Sequence, residues 1–479
     1  MTDNLDKNER RKEEQEEKYK IGPQLLAGFA ANLAMLTAGV TFAWPTVALP
    51  KLRNEESHLF LTSSEGAWVA SAMFMGACVG PIISGFFVNF IGRKRYLCLV
   101  ALPFLFSWSF IYLVGSFQWL FVVRFVSGLG VGGTYTTVPI YLGEIAQNKI
   151  RGALGAMAAT FVSIGSLMTY SIGPWISSEF LTFVGLIPSL LFLLIMIWMP
   201  ETPYYHLKMN RQADAEKSLS WLRGTSQVSE ELREMTLLIE SDRSNRGRII
   251  ELISIATNRR ATFIMWIILS AQQLCGITAL MAYLGLLFER TSLDIQPGIA
   301  VIITGLVSCV VNLFTSCVVD KLGRKPLLLL STCGTSICLC MIATYFHMED
   351  YGLDNSWLNW LPMFAVISFY IFFAMGLGPI PYAILAEIYP TSVKAWATMV
   401  VSIYGAVLGT IVMKVYQMVA DEWGHAAIFY GFAGCEWTLA FLMLIFLPET
   451  KGKSLKDIQE ILSRVVGKSA QIVDQKVIK

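Results

Sequence analysis

Apolar residues run along this chain in twelve long stretches, near 22–46, 66–90, 96–115, 118–142, 152–173, 179–199, 262–288, 297–319, 327–347, 357–386, 395–419 and 426–447. Each approaches the ~20 residues that a helix needs to cross a bilayer core ~30 Å thick. Continuous apolar character at this length excludes soluble strands. It also argues against a β-barrel, whose strands are about ten residues long and alternate. The pattern predicts an all-α polytopic membrane protein with twelve transmembrane helices, numbered here as spans 1 to 12.

The polar intervals set the organisation. Residues 1–20 mix Glu13, Glu14, Glu16 and Glu17 with Arg10, Arg11, Lys12, Lys18 and Lys20. That is a solvated tail, unlike the basic start and short apolar core of a cleaved signal peptide. Loops after even-numbered spans hold Arg93, Lys94, Arg95, Lys149, Arg151, Lys321, Arg324, Lys325 and Lys394. Loops after odd-numbered spans lean acidic, with Glu349, Asp350, Asp354, Asp421 and Glu422; Lys51 and Arg53 are the exceptions. Basic loops stay on the cytoplasmic side, so both termini and the segment 200–261 are expected there. The expected units are a tail (1–20), a first six-helix bundle (21–199), a cytoplasmic loop with short helices (200–261), a second bundle (262–447) and a tail (448–479). Within the loop, Ser229 with Glu230 and Glu231 reads as a helix start, and Leu232, Met235 and Ile239 as its apolar stripe. Ser454-Leu455-Lys456-Asp457 reads as a second helix start.

Composition agrees. Charged residues make up 15% of the chain against 54% hydrophobic, and mean hydropathy is +0.55. Soluble domains carry about 25% charge. A net charge of +2 leaves no basic field for nucleic acid. The nine cysteines lie in or beside apolar spans, so no disulfide framework is expected. The four histidines (His58, His206, His347 and His425) show no ligand spacing, so neither a metal nor another cofactor is expected. No nucleophile–base pair is visible, which argues against an enzyme.

Three short patterns occur twice in the same order. Gly92-Arg93-Lys94 returns as Gly323-Arg324-Lys325, Glu144 with Arg151 as Glu387 with Lys394, and Pro200-Glu201-Thr202 as Pro448-Glu449-Thr450, at offsets of 231, 243 and 248 residues. Two six-helix halves of like topology follow. Such repeats in a polytopic chain point to a transporter with its site midway between the halves.

Further motifs sit on the spans. They are Gly85-x-x-x-Asn89-x-x-Gly92-Arg93-Lys94, Arg124 with Gly128, Pro139-x-Tyr141-x-x-Glu144, Gln272-Gln273-Leu274-x-Gly276 and Gly376-x-Gly378-Pro379-x-Pro381. Together with the repeated patterns, they resemble the sugar porter family of the major facilitator superfamily over nearly all of 21–460, and within it the insect facilitated-trehalose-transporter branch. The resemblance implies a passive sugar carrier working by alternating access, monomeric, in the plasma membrane. A hexose facilitator and a non-transporting nutrient sensor are the alternatives.

An amide both donates and accepts, as a sugar hydroxyl does. Gln272 and Gln273 in an apolar helix therefore imply a polar cavity. They point about 100° apart, so both reach it only if span 7 borders it closely or unwinds at Gly276. Span 10 cannot stay regular through Gly376, Gly378, Pro379 and Pro381, and Tyr382 follows with a ring able to stack on a sugar's C–H face. The resemblance adds Thr160, Thr278, Tyr283, Ser308 and Asn312 to the expected sugar contacts. It makes Asn89, Arg93, Arg124, Glu144, Arg151, Glu201, Asp320, Arg324, Glu387, Lys394 and Glu449 the gating charges and their partners. Such pairs, bridging the halves or the helices of one half, would form when the cytoplasmic side is shut and break when it opens. Arg124 is expected to pair or snorkel at the outer vestibule.

Departures from the family matter. Asn89 replaces an Asp and cannot pair with a charge, and Lys394 replaces an Arg and loses its fork. Ala159 replaces a sugar-binding Gln, Thr278 an Asn, and Gly405-Ala406 an Asn-Trp pair. Ser308 replaces an Asn, with Asn312 one turn on. The site has lost bulk and amides, which favours a roomier pocket suited to a disaccharide. Residues 21–50 contain no carboxylate, where proton-coupled members carry one, so downhill transport is expected. The intramembrane Glu436 is read as a paired or snorkelling residue on a peripheral helix.

Overall fold

The computed structural model describes residues 19–53, 59–113, 115–244, 248–290, 295–353, 356–449, 451, 457–458 and 460–463. The tail 1–18 and the start of the last polar helix at 454–456 lie outside the described residues, as do the side chains of Arg151 and Asp320. The described residues contain helices and turns and no strand.

Six helices form the first half: α1 (Gly22–Leu52), α2 (Ser63–Ile91), α3 (Arg93–Phe110), α4 (Phe117–Ile145), α5 (Asn148–Ile172) and α6 (Ser178–Trp198). They are spans 1 to 6. Short helices α7 (Pro203–Lys208), α8 (Gln212–Arg223), α9 (Ser229–Ser244) and α10 (Glu251–Ser254) follow. Span 7 is two helices, α11 (Ala256–Leu274) and α12 (Ile277–Arg290); spans 8 and 9 are α13 (Pro297–Leu322) and α14 (Arg324–Asp350). Span 10 is also two helices, α15 (Leu361–Met375) and α16 (Ile380–Ile388). Spans 11 and 12 follow one another in α17 (Thr391–Phe446), two helices that reverse at Gly424, whose backbone is non-helical (φ 84°).

Local chemistry sets these boundaries. Thr62 opens α2 with a reciprocal cap: its hydroxyl accepts the Glu65 N–H (3.3 Å) and Glu65 accepts the Thr62 N–H (3.0 Å), the pairing that satisfies two orphan donors. Thr202 caps α7 just before Pro203, and α8 ends on Gly224 in the left-handed region (φ 64°). Gly92 (φ 98°) and Gly323 (φ 92°) make the equivalent sharp turn in each half, the position where a side chain would be strained. In α9, Leu232, Met235 and Ile239 pack with Leu207, Ala215 and Leu219, so the expected apolar stripe is buried among the loop helices.

Eight described helical stretches are long and apolar enough to cross a membrane, counting each of the broken spans 7 and 10, and the reversed pair α17, as one. Within the halves, α2 packs on α4, α1 on α5, and α14 on α15 and on α17. Between the halves, α17 lies on α2, α13 on α5 and α12 on α1. Phe86, Phe90, Leu113, Ile187, Phe314, Phe441 and Leu444 are exposed on the outside of the bundle. Trp119, Trp175, Trp198, Trp357, Trp360 and Trp423, at helix ends, are exposed too. Apolar sides with tryptophans at the rims fit a lipid surround.

Candidate functional site

The two broken spans meet. Span 7 unwinds at Cys275-Gly276, where Gly276 has φ 76° and an added Cβ would lie 2.6 Å from the Phe432 ring. Span 10 unwinds over 376–379, where the Pro/Gly run leaves carbonyls without helical partners. Gln272 joins the breaks: its Nε2 donates to the Leu377 carbonyl (2.8 Å) and the Gly378 carbonyl (3.3 Å). Its Oε1, and that of Gln273, are buried without a hydrogen-bond partner. The Gln273 oxygen faces Gly409 of span 11, 3.3 Å from where a Cβ would stand. Thr278 Oγ1 is buried and unpartnered as well.

The other expected contacts fall into two groups. Asn312 donates to Ser163 Oγ (2.8 Å), bridging the halves, and to the Ser308 carbonyl (3.0 Å). Thr160 lies one turn from Ser163 on α5 and is buried. Tyr382 is 46% exposed although it follows the break of span 10, so its ring borders open space. Its face lies 6.3 Å, centroid to centroid, from Tyr135 of α4. Tyr283 stands apart, stacked on Tyr416 at 5.0 Å with its hydroxyl buried and unpartnered. Tyr135 and Ser163 were missed in the sequence. Tyr135 hides in a run of small residues, Gly132-Gly133-Thr134-Tyr135, where only its bulk marks it.

At the face that carries the loop helices, called here the basic face, the repeat is chemical as well as sequential. Arg93 pairs with Glu144 (2.9 Å) and Arg324 with Glu387 (3.0 Å). Glu201 accepts the backbone N–H groups of Arg93 (2.9 Å) and Lys94 (3.0 Å). Glu449 does the same for Arg324 (3.0 Å) and Lys325 (3.0 Å). A carboxylate at a helix N-terminus satisfies orphan donors and meets the positive end of the dipole. Each pair joins helices of one half, and no described ion pair bridges the halves.

Several expectations need correction. Asn89 does engage a charge: its Oδ1 accepts from the Lys208 ammonium of α7 (2.8 Å), because an amide oxygen is a competent acceptor. Arg124 neither pairs with a carboxylate nor snorkels. It is 1% exposed, donates to the Thr41 carbonyl (3.1 Å) and lies 4.8 Å over the Trp44 ring. A guanidinium can be held by a carbonyl and an aromatic face. Glu436 is 0% exposed; it is neither at the periphery nor in any described ion pair. Lys394 is part-buried at the start of α17.

The opposite face is tied across the halves. Thr46 of α1 donates to the Met281 carbonyl of α12, and Arg53 donates to Gln417 Oε1 of α17 (3.3 Å). Gln417 in turn donates to Asp421 (2.6 Å). Lys51 crosses the end of α5, donating to the carbonyls of Gly173 (2.7 Å) and Ile176 (2.5 Å). The two basic residues that broke the charge pattern are thus committed to backbone caps and to a bond between halves.

Comparison with known proteins shows the family. The profile described as "Sugar (and other) transporter" matches residues 6–462. The chain belongs to the sugar transporter family. It is 31% identical to the facilitated trehalose transporter Tret1 of Apis mellifera ligustica over 95% of this chain and 91% of that protein. It is 30% identical to Tret1 of Anopheles gambiae over 93% of this chain but 57% of that longer protein. Among solved structures it resembles the major facilitator proton:xylose symporter XylE bound to 6-bromo-6-deoxy-D-glucose, with TM-score 0.76, 21% identity, and 93% of this chain and 100% of that one covered. The fold is that of the major facilitator superfamily, twelve membrane helices in two pseudo-symmetric bundles. A family of multi-pass transporters accounts for both the lipid-facing surface and the absence of an expected reaction.

Proposed function

We propose that the protein is a facilitative carrier for trehalose or a closely related sugar, moved down its gradient by alternating access between two bundles, 21–199 and 262–447. The observation that supports this most directly is the meeting of the two broken spans at Gln272, beside Gln273 and Thr278 with buried oxygens left for a ligand's hydroxyls. Sugar hydroxyls donate to such oxygens, and unmade bonds there cost more than made ones return. Tyr382 and Tyr135 supply an aromatic wall for the apolar face of the ring. Thr160 from the first half and Ser308 and Asn312 from the second complete the lining at the seam where Asn312 meets Ser163.

The room for a disaccharide is read from the small Gly405-Ala406 pair, which stands where the family carries bulkier residues. The missing carboxylate in span 1 supports downhill transport. The basic face is read as cytoplasmic, with both termini on it, and the membrane as the plasma membrane. Bonds across the opposite face then describe an outward-closed carrier. Arg93–Glu144 and Arg324–Glu387 serve as braces inside each half, intact in this state.

The test is uptake of labelled sugars by purified protein in liposomes. Trehalose should enter, equilibrate without accumulating, and be competed weakly by glucose. Accumulation that follows an imposed pH gradient and collapses with a protonophore would overturn the passive reading, and uptake left intact by both Gln272→Ala and Gln273→Ala would overturn the site.

A further inference from the structure

Glu436 is the one carboxyl group in the middle of a span, and its surroundings are specific. It projects from the second limb of α17 against α14 and the break of span 7. Its Oε1 is buried with no partner. Its Oε2 lies 3.4 Å from Thr335 Oγ1 of α14. The titratable groups facing it are thiols, Cys275 at the span 7 break, Cys333 on α14 and Cys435 on its own helix. Among the described residues no cation reaches it.

The hydrogen count decides its form. Thr335 has one hydroxyl proton, and the carbonyls of Ser331 (2.9 Å) and Thr332 (3.0 Å) lie nearer than the carboxyl does. With that proton given to the backbone, the contact with Glu436 is a hydrogen bond only if the acid donates. One turn away, Ser331 spans the unwound part of span 10: it donates to the Phe372 carbonyl (2.7 Å) and accepts the Leu377 N–H (3.0 Å). Leu377 also accepts from Gln272. An added Cβ at Gly376 would stand 2.5 Å from Ser331 Cβ, so the break and this turn of α14 are in tight contact. A polar line therefore runs from Glu436 through Thr335 and Ser331 to the hinge that Gln272 holds.

We propose that Glu436 is a positioning residue for the hinge of span 10, acting as a protonated acid that donates to Thr335 and so fixes the turn of α14 on which the unwound segment rests. It touches no sugar. The proposal rests on the transport reading for its kinetic consequences and stands apart from it in its chemistry.

Two measurements on the full protein in liposomes test it. Infrared difference spectra of wild type against Glu436→Gln should show the stretching band of a protonated carboxyl in wild type alone; its absence at neutral pH overturns the proposal. In trehalose equilibrium exchange, Glu436→Ala and Thr335→Val should each slow turnover by about three- to ten-fold, the scale of one lost hydrogen bond, with KM little changed. The double variant should be no slower than the slower single one. Glu436→Gln, whose amide still donates, should recover most of the turnover. Losses that multiply, or a Gln variant as slow as the Ala variant, overturn it too. If wild type moves no sugar, the transport reading fails and the infrared result alone decides this one.

Discussion

At the scale of single residues, the adjacent glutamines differ in what they hold. Gln272 spends both amide protons on the backbone of span 10, whereas Gln273 has its buried oxygen free of any partner. Gln273→Ala should raise KM by about three- to ten-fold and leave turnover near normal, the effect of one lost ligand bond. Gln272→Ala should lower turnover as well, because the hinge loses its grip; initial rates of labelled trehalose uptake across a concentration series separate the two. Gly276→Ala is expected to destabilise by about 2 kcal/mol or more, since a left-handed backbone and a clash with the Phe432 ring both oppose it. Thermal unfolding in detergent checks this, and Phe432→Ala should return part of the loss. The sequence made the amides legible because amides in an apolar helix demand partners. It could not show that one of them was already claimed, since that partner is a carbonyl more than a hundred residues away.

At the scale of elements, the break of span 10 was legible, because its Gly/Pro run cannot sit in a regular helix; for span 7 the sequence left unwinding at Gly276 as one of two alternatives, and the structure shows the unwinding. The twelve spans were legible for a similar reason, as length and apolarity need no tertiary knowledge. The roles of Glu201 and Glu449 were not. Each appears in the sequence as part of a Pro-Glu-Thr pattern, and only the fold brings it to the N-terminus of a helix that begins more than a hundred residues earlier. Buried Arg124 was misread because its holders are a carbonyl and an indole, neither of which a charge pattern reveals. The paired design of the basic face gives a matched expectation. Glu144→Gln and Glu387→Gln each replace a charge-assisted bond, worth about 1.5–3 kcal/mol, and should lower the stability of their own half by similar amounts. Limited proteolysis of the two variants should show earlier cleavage in the first and second half respectively.

At the scale of the whole molecule, the halves touch through α2 with α17, α5 with α13, and α1 with α12. The described bonds across that seam lie at its middle, in Asn312–Ser163, and at the face opposite the loop helices. Arg53→Ala removes one of them and leaves Gln417 with Asp421. It should shift the carrier towards the outward-open form, seen as faster reaction of an impermeant maleimide with a cysteine placed at Thr278. Unchanged labelling would show that Arg53 carries no share of the closure.

The reversal at Gly424 has a consequence for anyone handling this protein. Spans 11 and 12 turn over at a residue whose backbone leaves the helix, and the glycine's bare α-carbon sits where a side chain would meet the Asp350 carboxylate at 2.9 Å. The link has little slack to lengthen, although Trp423 beside it stands exposed. An epitope inserted at that bend would have to pry apart a tightly joined pair of helices, so affinity handles for purification belong at the tails.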